Sequence, residues 1–243
     1  MKIDTYLFSD CGARANNEDY GERYCGADGT GVFVVCDGLG GHNGGEIASR
    51  GATRFVQKSL QSCKHFSESL LLNTMNNANR AVLLAQKKAP ERADMRTTIV
   101  CATVAQNTFR YFHVGDSRLY YFKNGTLYTQ TVDHSLPQAT VAMGELSPSL
   151  LRFSEDRNKL LKVLGNKENL SIAALAPPVT IESGDAFLLC TDGFWEYVYE
   201  VEMEQDLVKS GNAEQWCSFM LRRLLRRVSN NNDNFTALCG RIS

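Results

Sequence analysis

The chain predicts an α+β fold with antiparallel sheets. Three observations carry this. Strand-like runs occur at the start, in the middle and at the end. Two helical patterns stand side by side between them. An Asn124-Gly125 pair marks a tight hairpin. Strand and helix alternate too irregularly for a doubly wound parallel sheet.

The elements follow in order. Residues 2–9 and 20–36 read as strands. Ile47, Ala48, Gly51, Ala52, Phe55, Val56 and Leu60 recur with helical period. Leu71, Met75, Ala78, Val82 and Ala85 do the same, and Pro90 lies just past their end. Residues 97–106, 108–114 and 118–122 are β-rich, and Asn124-Gly125 turns the chain into 126–131. Residues 133–170 look irregular, with Pro137, Gly144, Pro148 and Gly165, and are expected to form a lid or flap. Strands resume near Ser171 and at 186–190, and Phe194 to Val198 reads as a helical turn. Trp216, Met220 and Leu224 place a helix at 213–228, and 235–241 closes the chain as a strand.

The bulk numbers bound the function. The chain has 243 residues, 43% hydrophobic and 22% charged, which suits a soluble globular protein. No linker, repeat or low-complexity tract divides it, so a single domain, 1–243, is expected. A formal net charge of −1 gives no reason to expect nucleic acid or an anionic membrane as partner. The N-terminus carries acids within a short apolar stretch and does not read as a signal peptide. No run is long and apolar enough to span a bilayer. The eight cysteines form no Cys-x-x-Cys pair, and Cys36, Cys101, Cys190 and Cys239 sit in apolar runs as small buried hydrophobes. Scattered thiols suggest a reducing compartment, with the cytoplasm as expected location. Nothing signals oligomerisation, so a monomer is expected.

Asp19, Asp37, Asp116, Asp192 and Asp233 fall where strand-like runs end. Strand ends gather at the rim of a sheet, and clustered carboxylates repel unless a cation holds them. Hard oxygen donors suit Mg²⁺ or Mn²⁺. Two such ions sharing a carboxylate can hydrolyse phosphate esters. Asp-Gly is also a strong hairpin signal. However, Asp37-Gly38 runs into a glycine-rich stretch and Asp192-Gly193 into a helical turn, so neither meets the second strand a hairpin needs.

The motifs then resemble a family. Gly12-Ala-Arg14-Ala-Asn-Asn17-Glu18-Asp19 resembles the opening motif of the protein phosphatase 2C family, the metal-dependent Ser/Thr phosphatases. Val35-Cys-Asp37-Gly38-Leu39-Gly40-Gly41-His42-x-x-Gly45-Glu46 resembles its second, in bacterial form. Thr97-Thr98, Val114-Gly-Asp116-Ser-Arg118, Asp133-His-Ser135, Cys190-Thr-Asp192-Gly193 and Asp233-Asn234-x-Thr236 resemble the later ones, in the family's order. The resemblance covers nearly the whole chain.

The resemblance implies a four-layer α-β-β-α sandwich, two stacked antiparallel sheets flanked by helices, with a metal cleft at one end. It implies Asp37 as the carboxylate bridging two Mn²⁺ or Mg²⁺ ions, Gly38 as a carbonyl ligand, and Asp192 and Asp233 on the other ion. Water activated between the cations would attack phosphorus directly, so no nucleophilic Ser or Cys would be needed. Glu18 and Asp19 would hold waters of the metal shell. Arg14 would clamp the substrate phosphate; the plain alternative is a surface salt bridge to Glu18. Asp116 would help Asp192 hold a third, weaker ion, or else would cap the turn before Ser117. Substrates would be phosphorylated proteins, the targets of a cognate Ser/Thr kinase. A catalytically weak or dead fold that binds phosphoproteins or kinases is the competing reading, and the complete Asp37, Asp192 and Asp233 set argues against it.

Two departures stand out. Leu39 occupies the place where many members carry a His proposed as the leaving-group acid, and His42 reads as a structural loop residue. Arg96 stands before Thr97-Thr98, where Gly is usual. Arg222, Arg223, Arg226 and Arg227 read as a solvated helix face that also favours the helix dipole, with docking of an acidic partner as the alternative.

Overall fold

The structure, a computed structural model, describes residues 1–40, 44–166 and 177–243. Two five-stranded antiparallel sheets form its centre. One has the order β1-β12-β11-β8-β9, from Ile3–Asp10, Phe235–Ile242, Ala186–Cys190, Arg118–Lys123 and Thr126–Gln130. The other has the order β10-β7-β6-β3-β2, from Val179–Thr180, Thr108–Val114, Ile99–Ala105, Gly31–Cys36 and Tyr20–Cys25. A two-residue ladder of β4 (Gly38–Leu39) and β5 (Arg96–Thr97) stands apart at the cleft.

Alternation along the strands builds the layers. Phe33, Val35, Leu119, Tyr121, Phe187, Leu189 and Leu238 point between the sheets, where Phe33 and Phe187 meet at 4.8 Å. Val32, Val34 and Cys36 point the other way, onto α1 (Gly44–Leu60) and α2 (Glu68–Lys88). Tyr120, Phe122, Leu188 and Cys190 face α6 (Ala213–Arg227), whose Trp216 meets Phe122 edge-on at 5.4 Å. Both faces of each sheet are therefore covered, and β3 and β11 are buried at every residue. This is the four-layer sandwich the family resemblance implied. Cys36, Cys101, Cys190 and Cys239 are buried as expected, and Cys217 joins them.

Local chemistry explains the boundaries. The Ser67 hydroxyl accepts the Leu70 N–H and opens α2; Asn212 does the same for Gln215 and opens α6. The run 20–36 breaks into a hairpin, because Asp28 accepts from the Thr30 backbone and hydroxyl and closes a turn there.

The segment 133–166 is more regular than expected. It holds α3 (Leu136–Ala142) and a 3-10 turn (Pro148–Phe153). Ser135 caps α3, and Pro137 falls in its first turn, where a missing N–H costs nothing. Leu151 sinks into the core beside α5 (Glu200–Lys209), Arg152 pairs with Glu200 at 2.6 Å, and Arg157 pairs with Glu196 at 2.7 Å. This segment is thus strapped to the chain that follows the short helix α4 (Asp192–Trp195). The strand expected near Ser171 and the loop role of His42 lie outside the described residues. No helix among the described residues is long and apolar enough to cross a membrane.

Candidate metal centre

The ends of β3, β11 and β12 and the loop after β1 meet at one rim of the sandwich. There a cleft of about 370 Å³ is lined by Arg14, Glu18, Asp37, Gly38, Asp116, Asp192 and Asp233, with Leu39, Gly40 and Asn234 between them. Asn158 and Leu160 reach it from the segment 133–166. Asp19 is the one residue of the expected set that does not line the cleft; it is buried beneath, 5% exposed.

Each acid is mounted on a fixed backbone. Asp37 ends β3, and Thr97-Thr98 grip it: the Asp37 N–H donates to Thr98 Oγ1 at 2.9 Å, while Thr97 Oγ1 and the Thr98 N–H donate to the Asp37 carbonyl at 2.7 and 2.8 Å. Gly38 sits where a Cβ would lie 2.2 Å from the Gly45 carbonyl oxygen and 2.6 Å from that of Glu18, so only glycine lets the Asp37 turn pack onto the start of α1. A Cβ at Gly193 would lie 2.1 Å from the Asn234 oxygen, and this contact brings the Asp192 and Asp233 turns together.

The Arg14 loop is pinned by Asn234, whose Oδ1 accepts the Glu18 N–H at 2.8 Å. Its Nδ2 donates to the carbonyls of Cys11 and Asn16, both at 2.9 Å. Arg14 itself donates to Asp233 Oδ2 at 2.8 Å, both side chains about half exposed. The alternative partner weighed for it, Glu18, is not the one it takes. Asp116 closes the cleft beside Asp192, and its carbonyl accepts the Trp195 indole N–H at 2.9 Å.

Electrostatics match a site short of positive charge. Burial pushes the Asp37 carboxyl well above its usual range, and Asp192, Asp19, Asp116 and Asp233 push it further. Asp192 is raised the same way, by burial and then by Asp116, Glu196 and Asp233. Burial raises Asp19 to about 7 against the pull of hydrogen bonds from Thr191 and Thr236. Burial, with Asp133, raises Asp116 to about 7. Glu18 is raised by burial and by Asp233 and Glu46.

Among the described residues, no three Asp, Glu, His or Cys side chains close around one point as a finished cage. Asp233 Oδ1 accepts the Asn234 N–H at 2.8 Å and Asp192 Oδ1 the Gly193 N–H at 2.6 Å. The donors are instead spread along the cleft. The residues fit divalent cations on three counts. Every donor is a hard oxygen. The carboxylates' mutual repulsion is relieved only by added positive charge. Asp19 Oδ1 is buried without a hydrogen-bond partner, while Oδ2 takes the Thr191 hydroxyl at 2.8 Å.

Sequence reasoning passed over Asn234, Thr191 and Trp195 as working residues. Asn234 stood within a quoted motif, next to Asp233. Thr191 carried a signal too, since it precedes Asp192. Nothing in the sequence tied Trp195 to Asp116.

A sandwich of this topology, with carboxylates at its strand ends and an arginine across the cleft, defines a class of phosphate-handling enzyme, and sequence comparison makes the class specific. Residues 12–233 match the family described as Protein phosphatase 2C, and the chain belongs to that family. The chain is 32% identical to the serine/threonine phosphatase stp of Listeria monocytogenes over 199 residues, 80% of this chain and 78% of the relative. It is 29% identical to the protein phosphatase PhpP of Streptococcus pneumoniae over 214 residues, 86% and 85% of the two chains. The crystal structure of the Mycobacterium tuberculosis serine/threonine phosphatase PstP/Ppp superposes with a TM-score of 0.85 at 26% identity, covering 99% of both chains. The PstP catalytic domain in complex with two manganese ions superposes at 0.84, with 26% identity over 99% of this chain and 98% of that one.

Proposed function

We propose that the protein is a phosphoprotein phosphatase that hydrolyses phosphoserine and phosphothreonine esters by direct attack of water at a centre of two Mn²⁺ or Mg²⁺ ions. The observation that carries this is the convergence of Asp37, Gly38, Asp192 and Asp233 on one cleft that Arg14 overhangs. The likeness to the manganese complex of PstP supports the metal count.

Asp37, Gly38 through its carbonyl, Asp192 and Asp233 would hold the two ions, with Asp37 placed to be shared between them. Asp116 and Asp192 provide a third, weaker position. When bound, the ions acidify water and neutralise the charge on phosphate. Arg14 binds the phosphate oxygens, and its present bond to Asp233 holds its guanidinium at the cleft. Glu18 lines the cleft and Asp19 lies under it with one oxygen unspent, so both orient water around the acids. Leu39 has no proton to give, so the proton for the leaving alkoxide must come from elsewhere in the cleft, and water could supply it.

The three hydrophobic clusters share the two sheets, which supports reading 1–243 as one catalytic domain with its flap over the cleft. The substrates are phosphorylated proteins, targets of a cognate Ser/Thr kinase, and the enzyme works as a cytoplasmic monomer. Phosphate release from a phosphothreonine peptide tests the reading: it should require Mn²⁺ or Mg²⁺ and stop on chelation. Release that persists after exhaustive chelation would remove the metal centre from the chemistry.

A further inference from the structure

Leu39 and Arg96, the two departures from the family pattern, turn out to be cross-strand partners. In the β4–β5 ladder Gly38 pairs with Thr97 and Leu39 with Arg96. Residues directly opposite in an antiparallel pair project to the same side, and Leu39 lines the cleft. Thr97, one residue on, points the other way: it is fully buried and its hydroxyl holds the Asp37 carbonyl. Arg96 therefore emerges at the cleft rim beside Leu39, on which its aliphatic stem can lie. It is exposed, and among the described residues its side chain makes no hydrogen bond or ion pair.

The mount is rigid. β5 is pinned on its far side by Leu164, with the Thr97 N–H donating to the Leu164 carbonyl at 3.1 Å and the Leu164 N–H returning to Thr97 at 2.8 Å. Just before Arg96, Met95 is buried and packs against Gly40.

The charge around it is one-sided. The cleft is lined by Glu18, Asp37, Asp116, Asp192 and Asp233, and its lining cation, Arg14, is already paired with Asp233. A substrate segment bearing carboxylates near its phosphate meets like charge from those acids. At the Leu39 rim it meets a guanidinium that has no partner among the described residues, and whose planar fork matches a carboxylate. Arg96 stands outside the cleft lining, so the phosphate itself falls to Arg14.

We infer that Arg96 is a specificity-determining residue that pairs with an Asp or Glu side chain flanking the phosphorylated residue of the substrate. This rests on the phosphoprotein-phosphatase reading above. The test compares kcat/KM for two phosphothreonine peptides, identical except that Asp and Glu flanking the phosphothreonine in one are Asn and Gln in the other, with p-nitrophenyl phosphate as the control. The wild type should prefer the acidic peptide by roughly five-fold at low salt, the range of an exposed ion pair, and should lose the preference in high salt. Arg96→Gln should remove the preference, Arg96→Glu should reverse it, and both should leave p-nitrophenyl phosphate turnover unchanged. An unaltered preference in Arg96→Gln, or an equal loss on all three substrates, overturns the inference and leaves the phosphatase reading intact. Metal-dependent turnover of the aryl phosphate with none of either peptide would overturn the phosphoprotein reading itself, and the inference with it.

Discussion

Without metal, the acid cleft should make this protein lose stability as pH rises through neutrality, the reverse of the usual carboxylate behaviour. Asp19 and Asp116 are raised to about 7, and Asp37 and Asp192 also lie well above their usual range. In the unfolded chain these groups have pKa values of about 4. A folded pKa raised above the unfolded one means that the native state binds more protons between the two values. Stability is then greatest at the low end of that window and is lost as pH climbs through the folded pKa. Two other groups oppose this lower down. His113 is held below its ordinary pKa and His134 is lowered to about 3, mainly by burial, so unfolding takes up protons on them below about pH 6.5. The acids dominate from about pH 6.5 to 8, where unfolded histidines are at most half charged and unfolded cysteines are still largely protonated. With about one to two extra protons on the native acids, the slope is roughly 1.4–2.7 kcal/mol per pH unit, or about 2–4 kcal/mol over the window. For a chain of this size that is a fall in Tm of very roughly 5–15 °C. Thermal unfolding of chelator-treated protein at pH 6.5, 7.2 and 8.0 measures it. Added Mn²⁺ should raise Tm most at pH 8.0, because the ions replace protons that have left. A metal-free Tm that is flat or rising across the window would refute the reasoning, since the acids would then not be crowded in the folded chain.

Three further outcomes follow from the same geometry. Asp192→Asn should cut kcat by at least about 10²-fold with little change in KM, yet raise the metal-free Tm at pH 8, because Asp192 is the largest charge acting on Asp37. Arg14→Ala should raise KM for a phosphopeptide about ten-fold or more, and an unchanged KM would remove Arg14 as the phosphate clamp. Gly38→Ala forces a Cβ into the Gly45 and Glu18 backbones and should cost about 1–3 kcal/mol in denaturant unfolding; a stability equal to the wild type would mean that the Asp37 turn can move off α1.

The sequence carried the fold wherever burial imposed a period. Leu71, Met75, Ala78 and Val82 each pack into the core of α2, and Trp216, Met220 and Leu224 into that of α6. It was silent where structure is set by contacts between distant segments. α5 buries only Met203 and Leu207 among its apolar residues while Val201 and Val208 stand exposed, so its apolar pattern never resolved; acids Glu202 and Asp206 fill the rest of its inner face because Arg223 and Arg227 reach across from α6. The basic stripe at the end of α6 is thereby half explained: Arg223 and Arg227 are spent on α5, while Arg222 and Arg226 stay on the surface.

The site divides in the same way. Asp37 and Asp192 were legible because neither Asp-Gly meets the second strand a hairpin needs, and Asp116 and Asp233 because they too fall at strand ends. What holds them was not, because Thr97, Thr98 and Thr191 grip backbone or carboxylate atoms far away in sequence. Arg96 is the sharpest instance. In the sequence it is an arginine where glycine is usual, and only its pairing with Leu39 turns that oddity into a position on the cleft rim. With glycine there, Arg14 would be the one cation among the described residues at the cleft. An arginine there gives the cleft, in which Arg14 is the proposed phosphate clamp, a second and separate place to test what lies beside the phosphate.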